Sequence, residues 1–315
     1  MKNFTKVLTV VILLLFIMNV GCDTKPTKVR IGYLAITNSL PLYVAIEEGL
    51  FTSKGLEVEL TKFQTSNDLV EALVAGRIDV EVSASTSVLY AMHLRSPGNL
   101  KIFSANVQTK ERFPDYILVA KDSPITKMGD LAGKRLGTFP GSTFAVTTRL
   151  ILKTFLDPKD VTIEQIPPPA QVEALASGSV DAIYTLDPFC ALALQKANAR
   201  ILETAPAEKY VLDPLPAGAA AVSTRFSERS SGEVLTLVRA FDEAIRLVRK
   251  DEDKARRLLP KYTDIEPNIS AAANVVEFWT QQEINTVPLQ RYADILYQEG
   301  DLPGKLDVAE LILPR

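Results

Sequence analysis

From residue 29 onward, apolar runs of strand length alternate with stretches whose apolar residues recur at helical spacing, the pattern of parallel strands covered by helices. Residues 29–34 (VRIGYL) read as a strand. Ser39 stands where a helix cap would, Pro41 falls in the first turn, and PLYVAIEE runs up to Gly49. Residues 56–63 (LEVELTKF) alternate as a second strand. Residues 70–79 (VEALVAGRID) then place Val70, Leu73 and Val74 on one helical face, with Gly76 ending the helix before a strand begins in IDVEV.

That last phrase returns as VEALASGSVD at residues 172–181, identical at six of ten positions. The flanking pattern returns with it: KRLGTF (134–139) as a strand, a helix opened by Ser142 and Thr143 and reaching Phe155, VTIEQI (161–166) as a strand, then VDAIYTL. Two successive strand–helix–strand–helix–strand units of one design are the simplest account. AGAAAVST (217–224) predicts a strand re-entering the first sheet. Beyond it the chain reads as amphipathic helices, with Val234, Leu237, Val238, Phe241, Ile245 and Val248 at helical spacing. Trp279 is expected as a buried anchor or an overhang of a cleft.

The N-terminus does not belong to this pattern. Lys2 and Lys6 precede an apolar run, residues 7–18, shorter than the roughly 18 residues a bilayer span requires, so it reads as an export signal. The run ends in NVGC, followed by the polar DTKPTK. This resembles the lipobox of bacterial lipoproteins, with Cys22 as the lipidated residue, although Asn19 departs from the usual aliphatic residue. Composition then narrows the functional classes. At 315 residues, 47% hydrophobic and 23% charged, the chain is long enough for two domains with sizeable cores. A net charge of −3 does not suit a nucleic-acid partner. With Cys22 lipidated, Cys190 has no disulfide partner, and in FCALAL it reads as core. One His and two Cys do not make the usual zinc sets, and neither GxSxG nor GxxxxGK[ST] occurs, so no metal or cofactor is expected.

The succession IGYLAITNSLPLYVAIEEGLFTSKGLEVEL, ALVAGRIDVEVSASTS, DLAGKRLGTFPGSTF and ALASGSVDAIYTLDPF resembles the periplasmic binding proteins for nitrate, sulfonates, taurine and thiamine-precursor pyrimidines. The resemblance spans nearly all of the mature chain, and EEGLFTSKGL is its most specific part. It implies a two-lobed α/β periplasmic-binding-protein fold of type II, each lobe a mixed, mainly parallel sheet flanked by helices, joined by two crossing strands. It further implies residues 1–21 as signal peptide, 22–28 as lipidated Cys and tether, 29–110 as the first part of lobe 1, 111–212 as lobe 2, and 213–315 as the return to lobe 1. Such a protein is no enzyme. It is expected as a monomer held by lipid at the outer face of a membrane, delivering a small molecule to an ABC permease and ATPase. The hinge is expected at residues 107–115 and 210–217. A second reading stays open: GYLAITNSLPL is also similar to the opening of chorismate dehydratases, which would make Asn38 and Ser39 active-site residues. The export signal argues against it. A ligand-sensing lipoprotein is a third.

In open α/β sheets, ligands sit beyond the carboxyl ends of strands, where helix N-termini direct unpaired N–H groups. The turns placed there are AITNS, QTSND, SASTS, FPGST and TLDPF. They nominate Thr37, Asn38, Ser39, Thr65, Ser66, Ser85, Thr86, Gly141, Ser142, Thr143 and Asp187 as ligand-binding residues, although most of these types also cap helices. Tyr33 joins them as a ring for a flat ligand or as core. Asp115, near the first crossing, would hold a ligand amine or meet Arg112. The turns contain no Lys or Arg, so an anion would be held by hydroxyls and helix N-termini, whereas Asp115 and Asp187 favour an amine or an N–H heterocycle.

Overall fold

The computed structural model describes residues 27–263, 266–271 and 273–315; the export segment and Cys22 lie outside the described residues. Lobe 1 begins with β1 (Thr27–Leu34), α1 (Leu40–Glu47), β2 (Leu56–Phe63), α2 (Ser66–Val74), β3 (Val80–Ser85), α3 (Thr86–Arg95) and β4 (Leu100–Gln108). The chain crosses to β5 (Asp115–Ala120) and builds lobe 2 from β6 (Arg135–Thr138), α4 (Ser142–Lys153), β7 (Thr162–Gln165), α5 (Pro168–Ala176), β8 (Ala182–Leu186), α6 (Phe189–Lys196), β9 (Ala199–Thr204) and α7 (Pro206–Tyr210). It returns through β10 (Leu215–Ser223), α8 (Thr224–Arg229) and the long α9 (Ser231–Lys250), and β11 (Glu277–Trp279) completes the first sheet.

Six strands in the order β11-β4-β10-β3-β1-β2 form the first sheet, and five in the order β7-β6-β8-β5-β9 form the second. The repeated design is visible in these orders: β2-β1-β3 and β7-β6-β8 are the same parallel three-strand unit. The expected predominance of parallel pairs holds only inside those units. The crossing strands and β9 and β11 pair antiparallel, so among the described residues antiparallel pairings number five against four parallel. A strand arriving from the other lobe enters its sheet from the opposite end, which a reading of local pattern does not reveal. On α9, the residues expected on its apolar face are buried against α1 and the first sheet. Gly32 sits where helix α2 comes down on β1; a Cβ there would stand 2.5 Å from Ile78 and 2.7 Å from Leu69.

The repeated phrase has a shared structural task. Gly76 and Gly178 take left-handed φ values of 72° and 71° at the ends of α2 and α5, which only glycine adopts without strain. The chain then turns so that Asp79 and Asp181 face the opening strand of their unit. Asp79 accepts from the backbone N–H of Arg30 at 3.1 Å and from its Nε at 2.9 Å and Nη2 at 2.8 Å. Asp181 repeats all three contacts on Arg135, at 2.8, 3.2 and 3.3 Å. Burial alone would raise the Asp79 carboxyl, but the hydrogen bonds from Arg30 outweigh it and hold it below the ordinary carboxylate range. The Asp181 carboxyl is lowered mainly by its hydrogen bond from Arg135.

The two clamps differ in burial, with side-chain exposures of 5% for Asp79 and 32% for Asp181. Asp79→Ala removes a buried carboxylate that holds the Arg30 backbone amide and guanidinium and is expected to cost roughly 1–3 kcal/mol, whereas Asp181→Ala should cost about 1 kcal/mol or less. Urea unfolding of both variants checks this; equal losses would show that burial does not set the strength of the clamp.

Candidate functional site

The carboxyl ends of the two three-strand units face each other, and the turns expected there enclose two connected chambers. The inner one, about 90 Å³, is lined by Asn38, Ser66, Ser83, Ser85, Gln108, Thr143, Thr147, Tyr184 and Tyr292 among others. The outer one, about 440 Å³, is lined by Thr65 and Ser66 from lobe 1, by Pro140, Gly141 and Thr143 from lobe 2, and by an apolar set that includes Ile36, Phe63, Phe139, Phe144, Leu186 and Phe189. Both lobes therefore contribute to both chambers. Ser87 and Thr143, in the first turns of α3 and α4, bring their hydroxyl oxygens to 2.9 Å across the interlobe gap. Further along α4, Lys153 reaches Glu299 at 2.7 Å and Arg149 pairs with Asp301.

Of the expected residues, Asn38, Thr65, Ser66, Ser85, Gly141 and Thr143 line the chambers. Ser142 instead lines an adjoining groove with Asn67, Ser87 and Arg95. The remaining six face other tasks. Ser39 is buried and donates to the Leu34 carbonyl at 2.7 Å, which closes the turn after β1, and Thr37 is buried beside it. Thr86 donates to the Pro216 carbonyl at 2.5 Å and ties α3 to the second crossing. Tyr33 packs edge-on against Tyr43, centroids 5.9 Å apart. Asp115 meets neither an open cleft nor Arg112: its Oδ2 accepts from Tyr184 at 3.1 Å and from the Ala207 N–H at 3.1 Å, while Arg112 pairs with Glu252. Asp187 accepts from Tyr116 at 3.1 Å and from the Asn274 N–H at 3.1 Å.

Electrostatically, the chambers differ from the surrounding protein. Among the described residues, no carboxylate lines either one, and Lys62 at the outer mouth is the single cation. The acids lie behind the walls. Burial raises both Asp115 and Glu208, which lie near each other where β5 meets α7. Burial also pushes Asp187 up to about 6. What faces the chambers is neutral donor chemistry and the starts of helices. Thr65 caps α2, its hydroxyl accepting from the Asp68 N–H at 3.1 Å, but neither Ser85 nor Gly141 caps its helix with a side chain. The first-turn N–H groups of α3 and α4 thus remain for a bound anion. Ser66 accepts from the Ser85 N–H at 3.0 Å, which leaves its own proton to donate into the chamber.

Several polar lining residues were not expected from sequence. Gln108 and Tyr292 arrive from a crossing and from the C-terminal helix Thr286–Gln298, and Thr147 lies a turn inside α4. Ser83 is the most unusual, holding φ at 72° inside β3. Its geometry depends on Glu81, fully buried, whose carboxyl accepts from the Ala84 N–H at 2.9 Å and so pins the bulge that turns Ser83 toward the chamber. Paired with Ser85, Gly218 on β10 lies so close that a Cβ would come within 3.1 Å of Asn106 and 3.2 Å of the Ala84 carbonyl, so a side chain there would require its neighbours to give way. Cys190 is buried in the core of lobe 2 and Trp279 half-buried on β11, and neither lines a chamber. No described cluster of His, Cys, Asp and Glu could hold a metal.

With this geometry established, comparison places the chain. The sequence profile of the NMT1-like family matches residues 23–259, most of the chain. The chain belongs to the NMT1-like family. A Bacillus subtilis (strain 168) relative, provisionally named an aliphatic sulfonates-binding protein, is 26% identical across 99% of this chain and 95% of its own length. The crystal structure of the periplasmic aliphatic sulphonate binding protein SsuA from Escherichia coli superposes with a TM-score of 0.73 at 21% identity, covering 91% of this chain and 97% of that one. The desulfurization enzyme DSZB has the same fold, with a TM-score of 0.71 at 18% identity over 92% of this chain and 97% of that one. These likenesses confirm the two-lobed α/β fold.

Glu81 gives the site a pH signature. Burial raises its carboxyl from 4.5 to about 8, so the folded protein binds a proton that the unfolded chain releases above about pH 4.5. Its contribution is full at low pH and is lost as pH rises through about 8, by an amount on the order of a few kcal/mol. Glu81→Gln, which mimics the protonated acid, should flatten the fall in melting temperature between about pH 5 and 8. An unchanged slope in the variant would remove Glu81 from this role.

Proposed function

We propose that this chain is the extracytoplasmic binding protein of an ABC importer and captures a small organic oxyanion of the sulfonate kind between its lobes. The observation that carries the proposal is a cleft built by both lobes from hydroxyls, amides and uncapped helix starts, with no carboxylate among its described lining residues. Such a site stabilises negative charge and repels none of it. It offers an amine no counter-ion, because Asp115 and Asp187 are already engaged behind the wall, so the amine expectation loses its physical basis. The relatives named for sulfonate binding support the same ligand class.

An enzyme on this fold, of which DSZB is an example, needs a base or nucleophile at the reacting atom. The described lining residues supply no His, Cys, Asp or Glu, and the chorismate-dehydratase reading loses Ser39 to the Leu34 carbonyl. The ligand-binding set supported by the geometry is Asn38, Ser66, Ser83, Ser85, Gly141 and Thr143. In this reading the lobes divide near the crossings at 108–115 and 204–215, and the protein faces the periplasm or the exterior, tethered through Cys22.

Two measurements test the proposal. Calorimetry with alkyl sulfonates, taurine, pyrimidines and nitrate should find a sulfonate that binds, with an affinity changing less than about tenfold between roughly 0.05 and 0.5 M NaCl, since neutral donors in a closed cleft are little screened. A collapse of affinity with salt would transfer recognition to a cation such as Lys62. For the tether, radiolabelled palmitate should enter the native protein and be absent from Cys22→Ser; label persisting in the variant would refute the anchor.

A further inference from the structure

We infer that the ligand carries a flat aromatic body behind its oxyanion head, an inference that rests on the binding-protein reading above and specifies the part of the ligand that reading leaves open. The inner chamber, about 90 Å³, accommodates a head group only. The outer chamber is about 440 Å³, within the range of sites that enclose drug-sized molecules, and a two-carbon sulfonate would leave most of it to water.

Its walls are chemically different from the inner ones. On lobe 2, Phe139 and Phe144 stack with centroids 4.7 Å apart and planes 29° from parallel, and Phe189 meets Phe139 edge-on at 6.1 Å and 65°. Tyr184, at the inner boundary, continues the series against Phe144 at 6.2 Å and 62°. Lobe 1 opposes this wall with Phe63 and Ile36. Phe63 is only half-buried, and its ring edge comes so near Gly32 that a Cβ there would stand 2.9 Å from it, so the absent side chain makes room for the ring.

A set of aromatic faces and edges at these spacings rewards a ring more than an alkyl chain of equal area. Faces and edges of rings attract by their quadrupoles, adding to the area term, and a rigid ring has little conformational freedom to lose. Head inward and ring outward is the order that the lining favours, because Ser83, Ser85 and Gln108 line only the inner chamber, and Phe63, Phe139 and Phe189 only the outer.

The test is calorimetry on the full chain with ethanesulfonate, hexanesulfonate, naphthalene-2-sulfonate and 2-naphthol. Naphthalene-2-sulfonate is expected to bind about tenfold or more tightly than ethanesulfonate, and more tightly than hexanesulfonate. Hexanesulfonate binding as well as or better than the aryl sulfonate would overturn the inference and leave the oxyanion proposal standing. Binding of 2-naphthol with no binding of any sulfonate would support the ring and overturn the oxyanion. Binding of none of the four would overturn both. Phe139→Leu should narrow the ratio between the naphthalene and ethane ligands by about tenfold, and an unchanged ratio would count against the ring. Because Phe139 is also packed within lobe 2, Phe63→Leu on the opposite wall provides the same reading should the first variant fail to fold.

Discussion

The carboxylate that closes each three-strand unit is the contact on which the rest of the arrangement depends. Asp79 and Asp181 each grip the backbone N–H and the guanidinium of an arginine at the start of the unit's central strand, and each returns its own N–H to that arginine's carbonyl. A bidentate carboxylate–guanidinium pair permits little sliding, so the central strand and its later neighbour are fixed in register. A one-residue slip would turn Ile31 and Leu136 from core to the opposite face. With register set at one end of the strands, the turns at the other end, where β1, β3, β6 and β8 finish, fall at one level. The clamp therefore lies far from the cleft and still determines where the cleft residues stand.

The two units then differ in what they add to the clamp. In lobe 1 the central strands are covered on both faces, by α2 and α3 on one side and by α1 and α9 on the other, and the pair is buried. Lobe 2 is smaller, its clamp half-exposed. The same divergence appears at the cleft: lobe 1 supplies most of the polar inner wall, through Asn38, Ser66, Ser83 and Ser85, and lobe 2 supplies three of the outer phenylalanines. One repeated design thus presents mostly hydroxyls and amides from one half and mostly rings from the other.

Much of this was legible from the sequence, for identifiable reasons. The elements follow from apolar periodicity, and the turns at the strand ends follow from the order of the elements, so six of the nominated residues do line the chambers. What the sequence does not carry is the direction of a side chain inside a turn. Ser39, Thr86 and Thr65 are alike as letters, yet Ser39 closes its own turn, Thr86 ties a crossing, and Thr65 caps α2 beside the cleft. Ser83 could not have been found, since a serine with positive φ inside a strand has no local signal and is held by Glu81 through tertiary burial. The phenylalanines are a different case. Phe139 and Phe189 stand in the very turns FPGST and TLDPF whose polar residues drew attention, and Phe144 directly follows the first, yet none of the three was nominated.

The exposed polar contacts between the lobes add little to the hydrophobic core the lobes share and to the hydrogen bonds from Asn274 to Asp187 and Tyr116. Arg149–Asp301 and Lys153–Glu299 are surface pairs, with 39% and 59% of the basic side chains exposed, and pairs of that kind contribute about 0–1 kcal/mol each. Ser87 and Thr143 exchange one hydroxyl contact for contacts with water, again a gain near 1 kcal/mol. Against these small terms stands the outer chamber, whose apolar walls face water whenever it is empty. A ligand that fills it removes that surface from both lobes at once, and only when they are together. Its binding energy would thus differ between this arrangement and one with the lobes apart, which is the condition for a ligand to shift a population between two such states.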